Sequence, residues 1–546
     1  MSKSKVWVPL ILIPVLLLAA CGNQQAAQPV VLRIGWAGSP DTLNPGTALL
    51  SEAYTIFEVV YDSMYDLELD GTYKLSLAES AKVSDDGLVW TFKIRDDVKF
   101  HDGQPLTAED VIFTYNFYAA HDDFPFMPVY TTYFDNVEAT PNNEVMITLT
   151  KPIPNIESQL IFMYILPKHI WEAVENPAEF ENLEMIGSGP YKLAEYKQNE
   201  FVRLVANKDH FLTPPKVDEV IFQTFENNDA LVQAIKTGQV DMITEMPNTA
   251  VETLRQTPNV AVVTGQPLAP DISDIIIDQV SEENCPPEDG VCSGHPALGD
   301  RNVRLALAHA TDKRKIIDVV LLGLGDPGLT LVPMGLSEFY NTDIVDYSYD
   351  IAKANQILDD AGYLDTDSDG IRDMPDGSRP LTFRLNWPND STTAPRVAEL
   401  LKGMWAQIGV SLELQALDPD TLSSVCCPTF DYDLILWGWG SDPDPGFLLS
   451  VHLTSEIPTG LGETGYSNPE FDELYDQQAT AHSKQERVDI INEMQRILHE
   501  DVVYIVPYYA RAVQAYRTDR FTGWITDAPK LALDDVTSLV AVEPVK

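Results

Sequence analysis

Positive charge is what this chain has least of. Its 546 residues carry 36 Lys and Arg against 83 Asp and Glu, a formal net charge of −47. Such a surface repels a phosphate backbone, which excludes nucleic acid as a partner. Catalytic signatures are missing too. The sequence has no Gly-x-Ser-x-Gly elbow, no His-Glu-x-x-His helix and no Gly-x-x-x-x-Gly-Lys phosphate loop. Gly187-Ser188-Gly189 lacks the elbow spacing and reads as a turn, and His499-Glu500 lacks a second histidine. Carboxylates are so numerous that pairs arise by chance, so none can be nominated for acid–base work. Cysteine is scarce, with five in all. Cys285 and Cys292 flank a short loop and can pair, while the adjacent Cys426 and Cys427 can bond to each other or to the first two. No metal site is assigned to them.

Long apolar runs are confined to the N-terminus. Lys3 and Lys5 precede Val6 to Ala20, a run shorter than the roughly 20 residues of a spanning helix, and this reads as a secretory signal. It ends in Leu18-Ala19-Ala20-Cys21-Gly22, which resembles a bacterial lipoprotein signal in which Cys21 becomes the acylated N-terminus. The plainer reading is an ordinary signal peptide with a chance cysteine. Residues 1–20 are therefore expected to be removed, with 21–29 as a polar tether and the chain anchored to the membrane but not embedded. Apolar content of 45% is enough for packed cores, and the length calls for two or three domains.

One stretch organises the rest: Asp431 to Pro445, Asp-Tyr-Asp-Leu-Ile-Leu-Trp-Gly-Trp-Gly-Ser-Asp-Pro-Asp-Pro. Tyr432 to Trp437 reads as a strand buried on both faces, broken at Gly438 and Gly440 and ending in a carboxylate turn stiffened by prolines. Trp437 and Trp439 offer flat apolar area and Asp442 an anion, which suits a ligand with an apolar body and a cationic end. The bland alternative is a core tryptophan pair before a solvated Asp-Pro turn. A second acidic string, Asp365, Asp367, Asp369 and Gly370, follows calcium-loop spacing. Its twelfth position is Asp376 rather than Glu, and Pro380 with a strand-like Leu381 to Leu385 replaces the exiting helix, so a structural loop is favoured over a metal site.

Further upstream, Trp90-Thr91-Phe92-Lys93-Ile94-Arg95 alternates as a strand, Asp85-Asp86-Gly87 and Asp102-Gly103 supply turns, and Thr107 caps a helix opening Ala108-Glu109-Asp110-Val111. This block resembles the signature of the extracellular solute-binding proteins of peptide and nickel ABC transporters, solute-binding family 5. The resemblance recurs at Gly187-Ser188-Gly189-Pro190-Tyr191, at Ala234 to Asp241, at Asp300 to Ala310, at Tyr466 to Leu474 and at Val506-Pro507-Tyr508-Tyr509.

The resemblance implies an α/β fold of the periplasmic-binding-protein type II kind, two lobes with a hinge and an extra inserted domain. Lobe 1 would take 30–73, 188–282 and 503–546, the insertion 74–187, and lobe 2 residues 283–502. The chain would cross near Asp278-Gln279 and near Asp501. It further implies that Asp442, in Gly438-Trp439-Gly440-Ser441-Asp442, pairs with a ligand's α-amino group, with Trp437, Trp439, Ser51, Tyr54 and Tyr508 beside it. No cofactor and no catalysis are implied. The expected role is a monomeric receptor that hands di- or oligopeptides to an ABC permease and its ATPase subunits. Nickel complexes, oligosaccharides or another cationic metabolite are the rival ligands, and a secreted surface hydrolase is the rival class.

Overall fold

A computed structural model describes residues 28–481 and 483–546. Cys21 and the signal segment lie outside the described residues. Two large sheets dominate. In the eight-stranded sheet, Val31–Trp36 runs parallel to Glu219–Thr224 and Met242–Ile243, and Val260–Pro267 lies antiparallel to Ala512–Arg517. In the six-stranded sheet, Asp271–Ile277 sits between Leu434–Gly440 and Tyr504–Ala510, antiparallel to both. Thr382–Pro388 continues that sheet in parallel to Leu434–Gly440.

The chain passes between the two sheets at 268–270 and again at Arg511. This corrects the crossings expected near Asp278-Gln279 and Asp501. The apolar run Ile275-Ile276-Ile277 does not close the first sheet. It forms the centre of the second, with all three side chains fully buried. Asp326 ties both crossings together: it accepts from Gln266 Nε2 at 2.8 Å and from Arg511 Nε and Nη2 at 2.8 and 2.6 Å.

A four-stranded antiparallel sheet, Ala78–Val83, Val89–Ile94, Glu144–Leu149 and Phe134–Thr140, lies between residues 74 and 187. Phe92 and Ile94 are buried along one face, as the alternation requires. The helix Ala108–Ala120 follows, its start closed by the Thr107 N–H bonded to Asp110 Oδ2 at 2.9 Å. Ile56, Val59 and Val60 form the buried stripe of the helix Ser51–Val60, whereas Met64, also buried, lies beyond the helix end. The turn at 187–190 packs against that end: a Cβ on Gly187 would stand 2.0 Å from the Val60 carbonyl oxygen, so only glycine fits. Cysteines pair as Cys285–Cys292 and Cys426–Cys427.

Candidate functional site

The strand Leu434–Gly440 is apolar at its root, with Leu434 and Ile435 fully buried and Leu436 nearly so. It does not break at Gly438. The ladder continues to the pair Asp271↔Gly440, and Gly438 serves a different purpose. A Cβ there would lie 2.3 Å from the Ile272 carbonyl oxygen, so glycine allows the two strands to close. Trp437 and Trp439 are thus strand residues two apart, on one face. The Trp439 indole N–H donates to Glu463 Oε1 at 2.8 Å, and the exposed Phe447 packs edge-on against its ring at 5.5 Å.

Past the strand the two aspartates of the turn part company. Asp444 is buried and held by both terminal nitrogens of Arg487, at 2.5 and 2.8 Å, and by the Gly446 N–H at 2.8 Å. Arg487 is itself anchored by Gln478 Oε1 at 2.9 Å. Asp442 is exposed, and among the described residues no hydrogen bond or ion pair reaches its carboxylate. Protein nevertheless crowds around it, which raises its carboxyl above the usual range, and Asp444 adds to the effect.

The groups that feel Asp442 come from elsewhere in the chain. Tyr54, on the helix Ser51–Val60, has its phenol pushed up to about 12 by burial, then by Asp41, then by Asp442. Tyr130, on the short helix Met127–Thr131, is raised by burial and then by Asp442. The charge of Asp442 is thus felt by one tyrosine of the first helix and one of the inserted domain. Asp41 sits at the same helix start, accepting the Leu49 and Leu50 N–H groups at 2.8 and 3.4 Å. Ser51 is exposed there, with its hydroxyl 3.3 Å from Glu52, and the Tyr54 hydroxyl donates to Ala48 O at 3.3 Å.

Tyr508 is placed differently. It is buried, and it lines a cavity of about 220 Å³ with Trp437, Ser273, Ser391 and Thr393, beside the helix Ala394–Trp405. Sequence reasoning missed Tyr130, Asp41, Arg487 and Glu463. None of the four carries a local signal of a site. The acidic loop brings the carboxylates of Asp365, Asp367 and Asp369 within 4.8 Å of one another, all exposed. Asp365 and Asp369 there accept backbone N–H groups of Ser368, Gly370 and Ile371.

Against this geometry the comparisons are decisive. The profile of the bacterial extracellular solute-binding proteins, family 5 Middle, matches residues 72–457, from the inserted sheet to beyond the Asp442 turn. The chain belongs to this family.

Among its relatives this solute-binding protein is 28% identical over 487 residues to the oligopeptide-binding protein AppA of Bacillus subtilis, covering 88% of this chain and 86% of AppA. The crystal structure of the ABC transporter substrate-binding protein CtaP from Listeria monocytogenes superposes with a TM-score of 0.80 at 28% identity, over 95% of this chain and all of CtaP. AppA in complex with a nonapeptide superposes with a TM-score of 0.71 at 27% identity, again over 95% of this chain and all of AppA. The fold is that of the type II periplasmic binding proteins, with two lobes. Among the described residues no helix is long and apolar enough to cross a membrane.

Proposed function

We propose that this solute-binding protein captures peptides between its lobes through their free amino terminus and delivers them to a membrane ABC permease. One observation carries the reading: two aspartates stand two positions apart, and of the two only Asp444 is paired with a cation among the described residues. Asp442 is left as a carboxylate whose charge is felt by Tyr54 and Tyr130, and a ligand ammonium supplies the missing charge. Trp437 and Trp439 then form the apolar wall, with Ser51 and Tyr54 on the facing lobe and Tyr508 lining the adjoining cavity. The kinship with AppA, an oligopeptide-binding protein, supports a peptide over a sugar, which carries no cation to pair with the carboxylate.

In this reading lobe 1 comprises 30–73, 188–267 and 512–546, residues 74–187 are the insertion, and 271–510 form lobe 2. The mature receptor is a monomer tethered through acylated Cys21. Ligand contacts on both lobes favour the closed form, so binding is a population shift about the two crossings. Small-angle scattering during titration with a free-amine nonapeptide tests this: the radius of gyration falls at saturation. A curve unchanged across a panel of such peptides contradicts it.

A further inference from the structure

The geometry points to Glu463, backed by Asp274, as a positioning residue that holds the Trp439 indole in the wall of the ligand site. The inference rests on the peptide-receptor reading for its role, though the structural pair stands apart from it. Both acids are buried, Asp274 at 1% and Glu463 at 5% exposure. Glu463 Oε1 accepts the Trp439 indole N–H at 2.8 Å, and the Glu463 backbone carbonyl accepts the Tyr432 hydroxyl. The next residue is also pinned, since the Gln279 N–H donates to Thr464 O at 2.8 Å. Asp274 lies on the neighbouring strand, paired directly with Trp437, and so shares a face with both tryptophans. Among the described residues neither of its oxygens has a hydrogen-bond partner.

Among the described residues no cation pairs with either acid. The groups that surround them are Tyr432 ahead of one strand, Tyr504 on the other, Asp278 and Asp433 near Tyr432, and His452 stacked on Tyr504. His452 is kept neutral by burial. Arg384 is engaged by Asp431 and Asp433. Ionising both buried carboxylates with no cation to pair them carries a large desolvation and repulsion cost, and keeping a proton lowers it. Burial pushes the Asp274 carboxyl up to about 7, and burial and then Asp274 raise that of Glu463 well above its usual range.

Near neutral pH the pair keeps a proton and Glu463 stays seated under Trp439. As pH rises through about 7 Asp274 ionises, and an uncompensated charge forms on the face that carries both tryptophans, beside the Glu463 that seats the indole. Affinity for ligand then falls as pH rises through about 7. The stability sign agrees. These carboxyls bind protons more tightly folded than unfolded, so their contribution declines as pH rises from about 4 toward about 7.

The test uses the mature protein, Glu463→Gln, which keeps an acceptor for the indole but cannot ionise, and Asp274→Asn. The Trp439 indole N–H resonance, assigned by its loss in Trp439→Phe, is followed from about pH 6 to about pH 8, together with the affinity for free-amine trileucine. The expected result is a resonance that moves with pH in the wild type and is static in Asp274→Asn. Trileucine affinity falls about threefold over that range in the wild type and less in the variant. A static wild-type resonance, or parallel profiles in wild type and both variants, overturns the inference. A moving resonance with no trileucine binding at any pH leaves the acid pair in place and counts against the peptide reading instead.

Discussion

Arg487 grips Asp444 with two nitrogens at 2.5 and 2.8 Å, and this buried pair fixes the turn from which Asp442 projects. The turn has the composition of a solvated Asp-Pro loop, yet Asp444 is built into the lobe while Asp442 has no hydrogen-bond or ion-pair partner among the described residues. Everything proposed about recognition depends on that division of labour.

Breaking the pair should therefore cost both stability and binding. Arg487→Ala leaves Asp444 buried without its cation, and a loss of about 3–5 kcal/mol is expected from urea denaturation. Asp442→Asn, by contrast, should leave the urea midpoint near that of the wild type.

Asp442 gives binding its own pH signature. Its carboxyl is raised, and an ammonium is held only by the ionised form, so affinity for a free-amine peptide declines as pH is lowered through that raised value. In Asp442→Asn the acid-side decline is absent, and affinity at neutral pH is lower by about 10- to 100-fold, as for loss of a charge-assisted hydrogen bond. Calorimetry across the acid range reads both effects.

Asp326 joins Gln266, just before one crossing, to Arg511 at the other. Asp326→Ala should loosen the hinge while costing less than about 1 kcal/mol of stability, because the Arg511 end is solvent-screened. Scattering of the ligand-free variant should show a larger radius of gyration than the wild type, and stopped-flow should show faster peptide release.

Gly187→Ala places a Cβ 2.0 Å from the Val60 carbonyl oxygen at the end of the first helix. The clash should cost about 3 kcal/mol, seen as a lower thermal midpoint. Tyr54 lies on that helix, so peptide affinity should drop in parallel.

What could be read in the chain was local. The alternation of Val89 to Ile94, the Asp-Gly turns and the Thr107 cap are each set by a few neighbouring residues, and each appears where its pattern lies. Membership of a strand in one sheet or the other is not local: Ile275 to Ile277 is an apolar run in either lobe, and only pairing with Leu434 to Leu436 and Tyr504 to Ile505 decides it. Gly438 looked like a strand break because glycine usually is one, while the reason for it, the Ile272 carbonyl, lies more than 160 positions earlier in the chain. Asp442 was singled out by its spacing from the tryptophans. Its contrast with Asp444 was not, because Arg487 sits 43 residues further on, inside a helix whose pattern marks only an amphipathic surface.

The central claim is that Asp442 holds a ligand's amino group. The most direct measurement is the dissociation constant of one nonapeptide, with its amino terminus free and then acetylated, against the wild type and Asp442→Asn. The account predicts that acetylation weakens binding to the wild type by about 10- to 100-fold and makes little difference to the variant. Equal affinity of the wild type for both peptides would contradict it.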